Sequence, residues 1–73
     1  MNNDDYKVRF IEEYQQLRIR MGKLETTLRK YKDGTLNFNP ACSYDLLNGQ
    51  YKAMDMYASF LEERADIEGI QLD

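Results

Sequence analysis

Leu46–Ile70 reads LLNGQYKAMDMYASFLEERADIEGI, and its apolar residues decide the fold. At helical spacing they form two stripes rather than one. Leu47, Tyr51, Met54, Ala58, Leu61 and Ala65 make the first; Leu46, Ala53, Tyr57, Phe60 and Ile67 make the second, rotated around the axis. A helix that covers a core needs one apolar face about 100° wide. The face here is wider than one partner helix can cover. The reading is burial on two sides: the chain's own first helix against one, a second copy of the protein against the other.

Upstream, Phe10, Tyr14, Leu17, Met21, Leu24, Leu28 and Tyr31 recur at intervals of 4, 3, 4, 3, 4 and 3. That is an unbroken heptad pattern, the spacing that keeps one seam of a helix against a partner. Val8, Ile11 and Ile19 widen the stripe near its start. Residues 1–4 are expected to fray, and Asp4 or Asp5 to cap the helix, setting negative charge at the positive end of its dipole. Arg29, Lys30 and Lys32 suit the other end, and Asp33-Gly34 supplies the stop. The helix is predicted over about residues 5–33, roughly 43 Å at 1.5 Å per residue. Gly22, inside it, costs about 1 kcal/mol relative to alanine. It is a tolerated defect, a point of close helix–helix approach, or room for a ligand beside Arg20 and Lys23.

The stretch TLNFNPACS, Thr35–Ser43, is a loop. Leu36 and Phe38 are expected to fold back over the end of the hairpin. Asn39-Pro40 and Ser43 each offer a start for the second helix, which therefore begins between 40 and 44. Gly69 ends it at about residue 68, and Leu72 adds a final contact. A loop of about nine residues between long helices makes them antiparallel neighbours. The expected fold is all-α: a single domain over 1–73, an antiparallel two-helix hairpin with helices over about 5–33 and 44–68 and a loop over about 34–43. It is expected to oligomerise through coiled-coil-like packing.

A chain of 73 residues makes one domain at most, with a core that is marginal without a staple, a metal or a partner. The single cysteine, Cys42, excludes an internal disulfide, and together with the lack of histidine it disfavours a structural or catalytic zinc site. No apolar run reaches the roughly 20 residues that span a bilayer, and MNNDDYK has no signal-peptide pattern. The expectation is a soluble intracellular protein with Cys42 reduced, no cofactor and no membrane association. The formal net charge of −3 disfavours DNA as a partner. That average hides a polarity. Six basic residues lie between Arg18 and Lys32 against one acid, Glu25, whereas Asp4, Asp5, Glu12, Glu13, Glu62, Glu63, Asp66, Glu68 and Asp73 make the outer ends acidic. An antiparallel hairpin gathers both acidic segments at one end. These charges read as solvated faces, as head-to-tail pairing of copies, or as a local anion site.

Catalysis has little to stand on. A nucleophile needs a nearby base, and Cys42 has none. The pairs Glu12/Glu13 and Glu62/Glu63 are adjacent in sequence, so on a helix they point about 100° apart and do not converge on one substrate atom. The chain is read as a non-enzyme. Its aromatic content says more: six tyrosines and three phenylalanines, 12% of residues. Tyr14, Tyr31, Tyr51 and Tyr57 lie on the stripes as core or interface. Tyr6 and Tyr44 sit at helix edges and are freer to act. A ring that stacks on a base, with Arg or Lys nearby to hold phosphate, is the minimum equipment for binding a nucleotide.

The second half, with its pattern LL-x-x-Q-x-x-AM-x-x-Y-x-x-x-LE-x-RA-x-IEGI-x-L, resembles a signature of small phage proteins. These resemble in turn the helical hairpin of the phage anti-CBASS sponge family, a hairpin shared with some anti-Thoeris sponges. VRFIEEYQQLRIRMGKLETTL in the first half is similar in style, and the resemblance covers about residues 5–72. It implies a non-catalytic decoy working in the cytoplasm of an infected bacterium. Such a decoy assembles as a homohexamer of interlocked hairpins and holds cyclic di- or trinucleotides in pockets between protomers, which starves host effectors of their activator. The resemblance assigns base stacking to Tyr6 and phosphate binding to Lys23; a one-residue shift of register would put Lys7 and Gly22 there instead. For a second, trinucleotide pocket it implies Thr26 and Arg64. Arg64 otherwise reads as the partner of Glu62, Glu63 or Glu68 in an ion pair. Arg20 joins the set as a cation on the same helix as Lys23. The competing reading is a small coiled-coil protein that binds a host protein through its acidic end or exposed tyrosines, with no small ligand.

Overall fold

The heptad seam and the first of the two stripes find each other. A computed structural model describes residues 3–72. Its two helices, α1 (Asn3–Asp33) and α2 (Tyr44–Glu68), pack against each other as an antiparallel hairpin about 47 Å long, with no strand among the described residues. Phe10, Leu17, Met21 and Leu28 of α1 are buried, as are Ala58, Leu61 and Ala65 of α2. Ile11, Tyr14, Tyr51, Met54 and Leu72 pack against this core from its edges.

The start of α1 departs from expectation. Asp4 and Asp5 lie inside the helix, which already includes Asn3, so neither is its cap; the cap position falls outside the described residues. Both acids are still in the first turn, where the dipole favours them. At the other end Gly34 takes φ 73°. Its N–H reaches the carbonyl of Tyr31 at 3.2 Å, and the Thr35 N–H reaches that of Lys30 at 2.9 Å. This double bond pattern closes a helix on a left-handed residue.

The second helix repeats the device. Ser43, not Asn39-Pro40, caps its start: Ser43 Oγ accepts the Leu46 N–H at 3.1 Å. Gly69 at φ 69° ends it, with the Ile70 N–H on the Ala65 carbonyl at 2.8 Å. The turn buries Ile70 and carries the chain on to Leu72, which makes its expected contact.

The loop corrects another expectation. Leu36 is half-buried, but Phe38 is exposed and does not cover the hairpin end. Tyr31 and Tyr44 close that end instead, their rings edge to face at 5.8 Å, while the Tyr31 hydroxyl donates to the Cys42 carbonyl at 3.3 Å. Tyr44 is therefore held, and half-buried, rather than free. Nor do Val8 and Ile19 widen the buried seam; each is 52% exposed. Gly22 is no point of close approach either, since a Cβ built there meets nothing within 4 Å.

Leu61→Ala should cost about 2–5 kcal/mol, because this side chain is 0% exposed. Gly22→Ala should add about 0.5–1 kcal/mol by removing backbone freedom from a helix interior. Urea midpoints should move in opposite directions for the two variants; no gain from Gly22→Ala would mean that this outer position is covered in the assembled protein.

Candidate ligand-binding surface

The two flanks of the hairpin differ in kind. On one, tyrosines of each helix reach carboxylates of the other. The Tyr14 hydroxyl donates to Glu62 Oε2, and the Tyr51 hydroxyl donates to Glu25 Oε2 at 3.2 Å. Partial burial raises the Tyr51 pKa above 10.0, and the Glu25 hydrogen bond and charge raise it further, with Asp55 adding to this and Arg18 opposing it. These contacts brace the hairpin.

The other flank is open. An open cleft of about 570 Å³ runs between the helices there, lined by Leu17, Arg20, Lys23, Leu24, Thr27, Gln50 and Met54. Small-molecule pockets are typically 300–1,000 Å³ with apolar walls and a few polar groups. A second groove, lined in part by Glu13, Arg20 and Tyr57, adjoins it through Leu17 and Arg20. The apolar floor comes from the edges of the seam, and Arg20 and Lys23 stand on its α1 side.

Tyr6 and Arg64 meet at the acidic end. Arg64 Nη2 donates to the Tyr6 hydroxyl at 3.0 Å, and the guanidinium lies over the Phe10 ring at 4.9 Å from its centroid. Arg64 Nε also lies 3.6 Å from Glu68 Oε2, the ion pair anticipated from the sequence. The Tyr6 ring leans on Phe10 with centroids 6.2 Å apart. Arg64 is thus fixed in direction with half of its side chain exposed.

Of the five residues marked from sequence, the structure brings Arg20 and Lys23 together in the cleft and Tyr6 and Arg64 together at the end. The separation of 17 positions between Tyr6 and Lys23 puts the two groups roughly 25 Å apart along α1. Thr26 belongs to neither: its hydroxyl donates back to the Gly22 carbonyl at 3.0 Å, and it does not line the cleft. Thr27 lines the cleft in its place. Its spacing of seven from Arg20 was the available signal, because that interval returns a helix to the same face. Met54, a member of the first α2 stripe, and Gln50, a polar residue beside it, also line the cleft. Phe10 was read as core, and it also carries the guanidinium.

Among the described residues no group of three or more His, Cys, Asp or Glu could hold a metal, and no helix is long and apolar enough to cross a membrane. The model of a protein family described as Sequestin matches residues 4–67. No curated protein and no solved structure matches the chain.

A raised folded-state pKa means that Tyr51 supports the hairpin below the unfolded value near 10, and that this support is lost as pH rises through the folded value. Phenolate absorbance should show one tyrosine titrating late. Tyr51→Phe should remove that component and Glu25→Gln should move it back toward 10; a titration unaltered by Glu25→Gln would separate the two groups.

Proposed function

We propose a function from one premise: the chain belongs to the Sequestin family. The family's name describes a sequestering protein, and sequestration needs a binding surface rather than a reaction centre. The protein is read as a non-catalytic phage anti-defence sponge. It holds cyclic oligonucleotide second messengers, dinucleotides and trinucleotides, in pockets between copies, and so blunts CBASS-type immunity in the host cytoplasm. The observation that carries this is the cleft: an apolar floor flanked by Arg20 and Lys23 on a chain of net charge −3.

The physics favours this ligand class. A cyclic dinucleotide presents two flat bases and two phosphates. Leu24 and Met54 offer a base an apolar seat, Arg20 can grip a phosphate with two parallel hydrogen bonds, and Lys23 adds a point charge. Gln50 can read base or ribose edges, and the Thr27 hydroxyl, which donates to the Lys23 carbonyl at 3.1 Å, can still accept a hydrogen bond. Tyr6 offers a further stacking face. In one copy the cleft is open, so a second must close it, which fits pockets between protomers. The acidic surroundings make local cations, rather than the whole-molecule field, supply the attraction; such attraction weakens with salt.

The alternative is a docking protein without a small ligand, favoured by one observation: the exposed Leu46, Phe60 and Ile67 on α2. A thermal-shift screen separates the readings. A cyclic nucleotide at 100 times its dissociation constant should add about 2.7 kcal/mol, at about 4–8 °C per kcal/mol in so small a domain. Lys23→Ala or Arg64→Ala should weaken binding about tenfold or more, about 1.4 kcal/mol, with the oligomer intact. Melting temperatures indifferent to every cyclic di- and trinucleotide tried would favour the docking protein.

A further inference from the structure

The outer stripe of α2 is complementary to itself. Its residues match in pairs around a midpoint between Met56 and Tyr57: Leu46 with Ile67, Ala53 with Phe60, Met56 with Tyr57. Leu46 is 63% exposed, Met56 63%, Tyr57 44%, Phe60 59% and Ile67 79%. When a helix lies antiparallel on its own copy, residues equidistant from the midpoint come opposite each other, the condition for a two-fold contact of one patch with itself. Phe60 then lies over the hole left by Ala53, the flexible Met56 faces Tyr57, and Leu46 meets Ile67 in apolar contact.

We propose that two copies of the chain associate through this stripe, α2 against α2 in antiparallel sense, about a two-fold axis between Met56 and Tyr57. The proposal rests on the reading that copies assemble, and it specifies the face and the direction. Charge sets the direction. Past its midpoint α2 carries Glu62, Glu63, Asp66 and Glu68 against Arg64; before it lie Asp45 and Asp55 against Lys52, and Arg29, Lys30 and Lys32 of α1, with Asp33, make that end of the hairpin the more basic one. Antiparallel contact lays the acidic end of each copy beside the basic end of the other, whereas parallel contact would stack acid on acid.

The same register completes the site. Gly49 falls opposite Arg64 of the second copy. A Cβ at Gly49 would meet nothing within 4 Å, so the position has room for a guanidinium. Arg64 and Tyr6 of one copy thereby come to the Gln50 end of the other copy's cleft, near Lys23 and Thr27. The gap that separates these groups within one chain is closed across the axis.

Cysteine cross-linking reads the arrangement directly. In full-length chains carrying Cys42→Ser, with helicity checked by circular dichroism, a short bis-maleimide should join Met56→Cys to its own copy. Leu46→Cys alone should stay uncoupled, because its two copies lie roughly 31 Å apart along the axis, yet it should couple to Ile67→Cys when the two are mixed. Self-coupling of Leu46→Cys and of Ile67→Cys would mean parallel pairing and overturn the proposal. So would sedimentation of the unaltered chain as a monomer at tens of micromolar, or a stripe shielded only by a different protein. Phe60→Glu should weaken self-association tenfold or more. Nucleotide binding by an uncoupled monomer overturns the pairing and leaves sequestration standing; antiparallel coupling without nucleotide binding supports the pairing and removes sequestration.

Discussion

Two helices share one interface, and each can turn only one stripe toward it. That limit governs this molecule. The α1 seam from Phe10 to Tyr31 is one stripe wide and is consumed by the hairpin. The α2 helix is two stripes wide, so Leu46, Tyr57, Phe60 and Ile67 remain in water once Ala58, Leu61 and Ala65 are buried. A chain of 73 residues gains too little from a single seam to leave such a surface idle without consequence. The outward stripe is the source of the assembly proposed here.

The flanks divide the remaining work. Tyrosine–carboxylate contacts brace one, Tyr14 to Glu62 and Tyr51 to Glu25. The other has no such bridges among the described hydrogen bonds; it holds Arg20 and Lys23 beside an apolar floor. Both ends are tied, by the Tyr31–Tyr44 ring contact and by Arg64 lying between Tyr6, Phe10 and Glu68. A rigid hairpin with one unbridged flank can present a cleft without losing its fold. Arg64 is the centre of the second tie, its guanidinium over the Phe10 ring with half of its side chain exposed.

Much of the fold was legible before any coordinates. The 4-3 spacing from Phe10 to Tyr31 named every buried residue described in α1, and the glycines at 34 and 69 named both stops. Local chemistry misled where tertiary contacts competed. Asp4 and Asp5 looked like caps because the propensity is real, but the helix already includes Asn3. Phe38 looked like a lid because it is apolar, but Tyr31 and Tyr44 were better placed to close the end. Thr26 came from the family resemblance; its hydroxyl turns back to the Gly22 carbonyl, and the neighbouring Thr27 shares the cleft side with Arg20.

Periodicity alone determined the class of structure, the partner of each inner stripe and the existence of an unsatisfied outer one, because a 3.6-residue repeat maps sequence onto faces without reference to anything else. It could not determine which cations share a site. Arg20 and Lys23 are neighbours in sequence and in space, but Tyr6 and Arg64 lie 58 positions apart and meet only because the turn after Asp33 sets the two helices in one register. Register depends on loop length, on Ser43 prevailing as the cap, and on Leu61 sharing one buried core with Leu17 and Met21. Those are properties of the folded hairpin, and the position of every functional group on its surface follows from them.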